Sequence, residues 1–229
     1  MRRTRWDELR RRLAERAGPR AYESLTAEPV IPLQIMHSSE PTRRLFYFTK
    51  DVLCRDWLCR GWPPFDWSAM VRPGLPGADS FEIIRAHVRG LRCPFLFVGD
   101  LDPLDLTVFF AVLRSGDLAL RGRPARGLPV EYLGVDDRLL AVSEAHLLPG
   151  YTVERLSFDM WELEREHLRL VRELLPDLET LVGPRCLRLL ESGKMLDLAA
   201  LTNMAFHDET YIEALYPWFH ETPGRRPSQ

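Results

Sequence analysis

From about Val30 the chain alternates short apolar runs with turns. Leu45-Phe46-Tyr47-Phe48 predicts a buried strand. Asp51 to Arg60 then predicts a helix carrying Val52, Leu53 and Trp57, with a turn over Gly61 to Pro64. Phe65 to Val71 predicts a second strand and Arg72 to Gly77 a loop. Asp79 or Ser80 can cap a helix running to about Arg89, with Phe81, Ile84 and Val88 on one face. Pro94-Phe-Leu-Phe-Val98 is the clearest strand, and it runs into Gly99-Asp-Leu-Asp-Pro103. Leu104 to Arg114 predicts the next helix, stopped at Ser115-Gly116. Val130 to Leu133 predicts a further strand, ending in Gly134-Val-Asp-Asp137. Buried strands alternating with helices of this length predict βαβ units and an α/β fold with a parallel sheet.

The two ends read differently. Residues 2–20 hold eight arginines against Asp7, Glu8 and Glu15, while Trp6, Leu9, Leu13 and Ala17 form one apolar helical stripe. Gly18-Pro19 is expected to stop this helix. Such a helix either docks on its own domain or serves as an arm that touches DNA or a partner. After Ser157 the pattern is helical, with a run from Trp161 to Leu175 broken near Pro176, another from Pro184 to Leu201 interrupted at Gly193, and a last helix from Glu209 to Phe219. The expected organisation is an arginine-rich helix and linker over 1–40, a main domain over 41–221 and a loose polar tail over 222–229.

Composition narrows the function. Forty-five per cent of the 229 residues are apolar, which permits a buried core. The formal net charge of −2 argues against binding nucleic acid by bulk charge but leaves room for a local basic face. No apolar run approaches the roughly 20 residues of a membrane helix. Cys54, Cys59, Cys93 and Cys186 have no metal or redox spacing and read as reduced core residues of a cytoplasmic protein. Lys50 and Lys194 are the only lysines among 31 basic residues.

The chemistry concentrates in Gly99-Asp-Leu-Asp-Pro103. Ligands of parallel sheets bind beyond the carboxyl ends of strands, where Asp100 and Asp102 are placed. Two residues apart in extended chain, their carboxylates point the same way. Held close, they repel unless a cation or proton lies between them. Oxygen ligands of this kind suit Mg²⁺. The plainer alternative is a strand-end turn whose Asp caps the next helix. A phosphatase-like fold also places D-x-D here, with Asp136-Asp137 as a later acidic pair, but no lysine lies between Lys50 and Lys194 to complete its pattern.

The order of motifs resembles the Toprim domain of the topoisomerase VI A subunit and its meiotic double-strand-break relatives. Phe46-Tyr-Phe-Thr-Lys-Asp51 is similar to the strand that ends in Glu-Lys in that family, with Lys50 kept. Gly74-Leu-Pro-Gly-Ala-Asp-Ser80 is similar to its Gly-x-Pro loop and following helix. Gly99 to Pro103 is similar to its D-x-D-P element, Leu113 to Gly116 to its Gly-rich turn, and Tyr132 to Val135 to its Leu-Gly strand. Leu190-Glu-Ser-Gly-Lys-Met-Leu-Asp-Leu-Ala-Ala-Leu201 is similar to its late Gly-Lys signature. Toprim nucleases of bacterial plasmid defence share the Gly-Asp-x-Asp-Pro element.

The resemblance implies a Toprim-like, Rossmann-like sheet flanked by helices, with a helical C-terminal part. It implies weak Mg²⁺ binding at Asp100 and Asp102 and DNA phosphate contacts at Lys50 and Lys194. Two departures stand out. Thr49 occupies the position of the family's glutamate, so three carboxylates become two. The winged-helix domain that supplies the family's nucleophilic tyrosine has no counterpart in the roughly 40 residues before the Toprim-like part. The expectation is a DNA-binding protein with a reduced metal site, acting near the nucleoid with a partner, an ATPase subunit among the candidates, since this chain has no Gly-rich phosphate loop. A homodimer is compatible. The alternatives are a Mg²⁺-dependent nuclease and an interaction protein that keeps the fold without the chemistry.

Overall fold

The computed structural model describes residues 5–26, 33–37, 41–62, 66–91, 93–119, 130–205 and 209–220. The polar tail expected over 222–229 lies outside them. Arg5–Thr26 forms α1, Gln34–Met36 β1, Arg44–Phe48 β2, Asp51–Arg60 α2, Trp67–Val71 β3 and Ala78–Leu91 α3. Phe95–Val98 forms β4, Pro103–Ala119 α4, Val130–Tyr132 β5, Asp137–His146 α5 and Val153–Leu156 α6. The remaining elements are β6 (Phe158–Asp159), α7 (Glu162–Leu174), α8 (Leu178–Val182), α9 (Pro184–Glu191), β7 (Lys194–Met195), α10 (Leu198–Asn203) and α11 (Glu209–His220). Among the described residues, no helix is long and apolar enough to cross a membrane.

The main sheet has the order β1-β3-β2-β4-β5. β3, β2, β4 and β5 are parallel, and β1 adds an antiparallel edge. Strands covered on both faces need apolar residues at every position, hence the unbroken runs of β2 and β4. On one face Tyr47, Phe97 and Tyr132 stand in register across β2, β4 and β5, with Phe109 of α4 against them. On the other face Phe46 and Phe48 meet Trp57 of α2 and Trp67 of β3, and Trp57 reaches Phe219 of α11 at 5.3 Å. Most of these aromatic contacts are edge-on or stacked, the geometries that the ring quadrupole favours.

Some boundaries differ from those the sequence predicts. α1 continues through Gly18-Pro19 instead of stopping there. Its stripe extends to Ala21, which is buried, while Leu13 belongs to an apolar cluster with Leu75, Phe81, Phe110 and Leu170. That burial outweighs the one intrahelical bond that proline removes. The arginine-rich helix is therefore docked on α4 and α7. α4 likewise passes Ser115-Gly116 and ends at Ala119, because one glycine costs a helix only about 1 kcal/mol. The interruption at Gly193 (φ 81°) is a turn into β7, which pairs antiparallel with β6. Of the four cysteines expected in the core, Cys54, Cys93 and Cys186 are buried and Cys59 is exposed.

Candidate functional site at the carboxyl edge of the sheet

The parallel strands deliver their last residues to one edge. β2 leads into Thr49 and Lys50, β4 into Gly99 to Asp102, and β5 into Gly134 to Asp136. A third segment joins them from the far end of the chain. Leu101 and Leu196 exchange backbone hydrogen bonds, N–H to O=C, at 3.0 and 3.2 Å. This antiparallel bridge lays the loop after Gly193 against the D-x-D loop.

Asp100 is 3% exposed and fully engaged. Its Oδ1 accepts the Leu198 N–H at 2.8 Å, and its Oδ2 pairs with the Lys50 ammonium. The same ammonium donates to Asp197 Oδ2 at 2.6 Å. Asp197 caps α10, its Oδ1 accepting from Ala199 N at 2.7 Å and Ala200 N at 3.1 Å. Lys50 therefore bridges two carboxylates that are far apart in the sequence. Asp102 has a different task. Its Oδ1 accepts the Leu104 N–H at 2.7 Å in the first turn of α4, where Pro103 needs no hydrogen-bond partner of its own. Asp105 lies beneath, its Oδ2 accepting from Thr49 Oγ1 and from Asp100 N, both at 2.8 Å. Gly99 leaves the space for this packing, since a Cβ there would lie 3.0 Å from Asp105 Oδ2 and 2.8 Å from the Phe97 ring.

Burial raises the Asp100 pKa to about 6, helped by Asp197 and opposed by Lys50. Asp102 is also raised, by burial first. Asp105 is raised well above the usual carboxylate range, again by burial first, then by Asp100 and Asp102. Burial works against the Lys50 charge, but Asp100 and Asp197 outweigh it and raise its pKa. Burial likewise works against the Asp197 charge, but the hydrogen bond and charge of Lys50 outweigh it and lower the pKa.

Of the residues singled out from sequence, Lys50, Asp100 and Asp102 come together at this edge. Lys194 is nearby along the chain but pairs across β6–β7 with Asp159 at 2.9 Å. Asp136 caps α5, accepting from Leu139 N at 2.9 Å, and Asp137 accepts from the first amides of α9. His207 and Asp208, polar residues just before the last helix, lie outside the described residues. Asp197 is a site residue that sequence reasoning misses. Its signal is an N-cap residue opening the short apolar segment Leu198-Ala-Ala-Leu201.

The donor set does not fit Mg²⁺ while Lys50 is in place. Both oxygens of Asp100 are taken, one oxygen of Asp102 caps a helix, and Thr49 donates to Asp105. A magnesium ion wants near-octahedral oxygen ligands and keeps several waters; here a tethered ammonium lies against the carboxylate pair. Among the described residues, no three His, Cys, Asp or Glu side chains are grouped to hold a metal ion. No protein-family model matches the chain, and no curated protein matches it.

Proposed function

We propose that this chain is a Toprim-like protein of the topoisomerase VI A type that associates with DNA and works with a partner subunit, without a strand-cleaving centre of its own. One observation carries this reading. The three segments that resemble the Toprim motifs, bearing Lys50, Asp102 and Asp197, converge at the carboxyl edge of the parallel strands, where such sheets bind ligands. The same edge argues against cleavage, because its acids are committed to a lysine, a threonine and helix caps.

Lys194 is the better phosphate contact of the two lysines. Its surface pair with Asp159 is worth little and can be exchanged for a phosphate. Lys50 would have to leave two carboxylates. The exposed arginines Arg12, Arg16 and Arg20 of α1 fall at i, i+4 and i+8 and supply a second basic stripe. Any nucleotide hydrolysis comes from a separate subunit.

The test is fluorescence anisotropy of a labelled duplex between about 50 and 200 mM salt. Affinity is expected to fall steeply with salt, and Lys194→Ala and Arg16→Ala should each lower the slope by about 1. Salt-independent binding, or none, would overturn the proposal. A second reading, a Mg²⁺-dependent nuclease, draws on the placement of Asp100 and Asp102 at the carboxyl end of β4. Plasmid nicking by the pure protein that Asp102→Asn abolishes would establish that reading instead.

A further inference from the structure

The family resemblance calls for a divalent cation at this edge, and the side chains disagree. Lys50 leaves the end of β2 and places Nζ on Asp100 Oδ2, at the end of β4, and on Asp197 Oδ2, at the cap of α10. Three parts of the chain thus meet at one positive charge. Thr49, beside it, brings a hydroxyl in place of a carboxylate, so the site carries less negative charge for a cation to balance. The position between the carboxylates is the one a bridging ion would take.

We propose that the Lys50 ammonium is the resident cation of this site. It holds the D-x-D loop to the Gly193–Asp197 loop in place of a divalent ion, and its removal uncovers a latent divalent-cation site built on the two oxygens it leaves, Asp100 Oδ2 and Asp197 Oδ2. A tethered ammonium competes as an intramolecular ligand, so free Mg²⁺ would have to displace it from two carboxylates at once. Magnesium also gives up its waters reluctantly. Hard oxygen donors freed from the lysine would suit Mg²⁺ or Mn²⁺. This inference concerns how the site is held together and goes beyond the DNA reading. It stands or falls separately, because its test contains no nucleic acid.

The experiment is thermal unfolding of the full chain, wild type, Lys50→Ala, and Lys50→Ala combined with Asp197→Asn. Each is melted in EDTA, in Mg²⁺ and in Mn²⁺ at constant ionic strength. The wild-type Tm should be the same in all three. Lys50→Ala should melt lower in EDTA and recover with added metal along a saturating curve. The double variant should not recover, although an asparagine at the cap of α10 can still accept its amides. A wild-type Tm that rises saturably with Mg²⁺, or a folded Lys50→Ala that ignores both metals, would overturn the proposal. Should Lys50→Ala fail to fold, Mg²⁺ calorimetry of the wild type decides: no saturable heat supports the resident lysine, and saturable heat refutes it.

Discussion

Thr49 Oγ1 donates a hydrogen bond to Asp105 Oδ2 at 2.8 Å, across 56 positions of sequence. The pair is buried at the junction of β2 and α4. A glutamate at position 49 would bring a second acid toward Asp105. A threonine brings a donor, and the same Asp105 oxygen also takes the Asp100 amide. Thr49 and the Asp100 amide together therefore hold the acid beneath the edge in place.

Asp105→Asn should leave the protein at least as stable above pH 7, within about 1 kcal/mol, because the amide oxygen can still accept both hydrogen bonds. The raised pKa of Asp105 sets the sign. Below the ordinary value of 3.8 both states are protonated. Above it the unfolded chain ionises first, so stability falls as pH rises toward the folded value. Asp100 adds a loss of the same sign between 3.8 and about 6. Urea midpoints across this range should show a shallower decline for Asp105→Asn than for the wild type; parallel curves would count against the assignment.

His167 acts in the opposite direction. It is 1% exposed, and its Nε2 lies 3.1 Å from the Ala21 carbonyl of α1. Burial lowers its pKa from 6.5 against the pull of the Ala21 carbonyl, Glu164 and Glu166. Its contribution is complete above 6.5 and is lost as pH falls below that value, where the unfolded chain takes the proton first. His167→Gln should cost about 1 kcal/mol at neutral pH and should flatten the acid limb. Melting curves at about pH 5.5 and 7.5 on both proteins check this.

Gly134 and Gly77 form a matched pair of tests. A Cβ at Gly134 would lie 2.2 Å from the Tyr132 ring and 2.6 Å from the Gly99 carbonyl; at Gly77 nothing lies within 4 Å. Gly134→Ala would also push the Tyr132 hydroxyl away from the Asp100 carbonyl, to which it donates at 3.2 Å. The expected loss is about 1–3 kcal/mol for Gly134→Ala and at most about 0.5 kcal/mol for Gly77→Ala. Equal chemical-denaturation midpoints for the two would refute the close approach.

Asp137 accepts the amides of Arg185 and Cys186 at 2.9 and 2.8 Å and so caps α9 from α5. Asp137→Ala should cost about 1–2 kcal/mol, with Asp137→Asn recovering part of it. Amide exchange at Arg185 and Cys186 should quicken in the alanine variant while the β4 amides stay protected. Unchanged exchange at both amides would remove the capping role.

The frame from β2 to β5 is legible in the sequence because β2 and β4 carry unbroken apolar runs, Leu45 to Phe48 and Phe95 to Val98, and β3 and β5 are short, mostly apolar segments between helical patterns. What the chain order hides is contact. Pro19 reads as a helix end until Ala21 is seen buried and α1 docked on α4 and α7. β1, β6 and β7 are two or three residues each, too short to show a period. The edge itself is legible, with Lys50, Asp100 and Asp102 upon it. The resemblance assigns the lysine to phosphate, as a point charge on a motif. The residue that alters its role, Asp197, is 147 positions away.

The reciprocal bonds between Leu101 and Leu196 limit how this polypeptide can be dissected. A fragment cut before Lys194 would keep every strand of the main sheet yet strip Asp100 of its Leu198 amide and Lys50 of one of its two acids. An exchange of either loop for a foreign one would have to carry both, because the early half of the chain and its last stretch complete each other's hydrogen bonds.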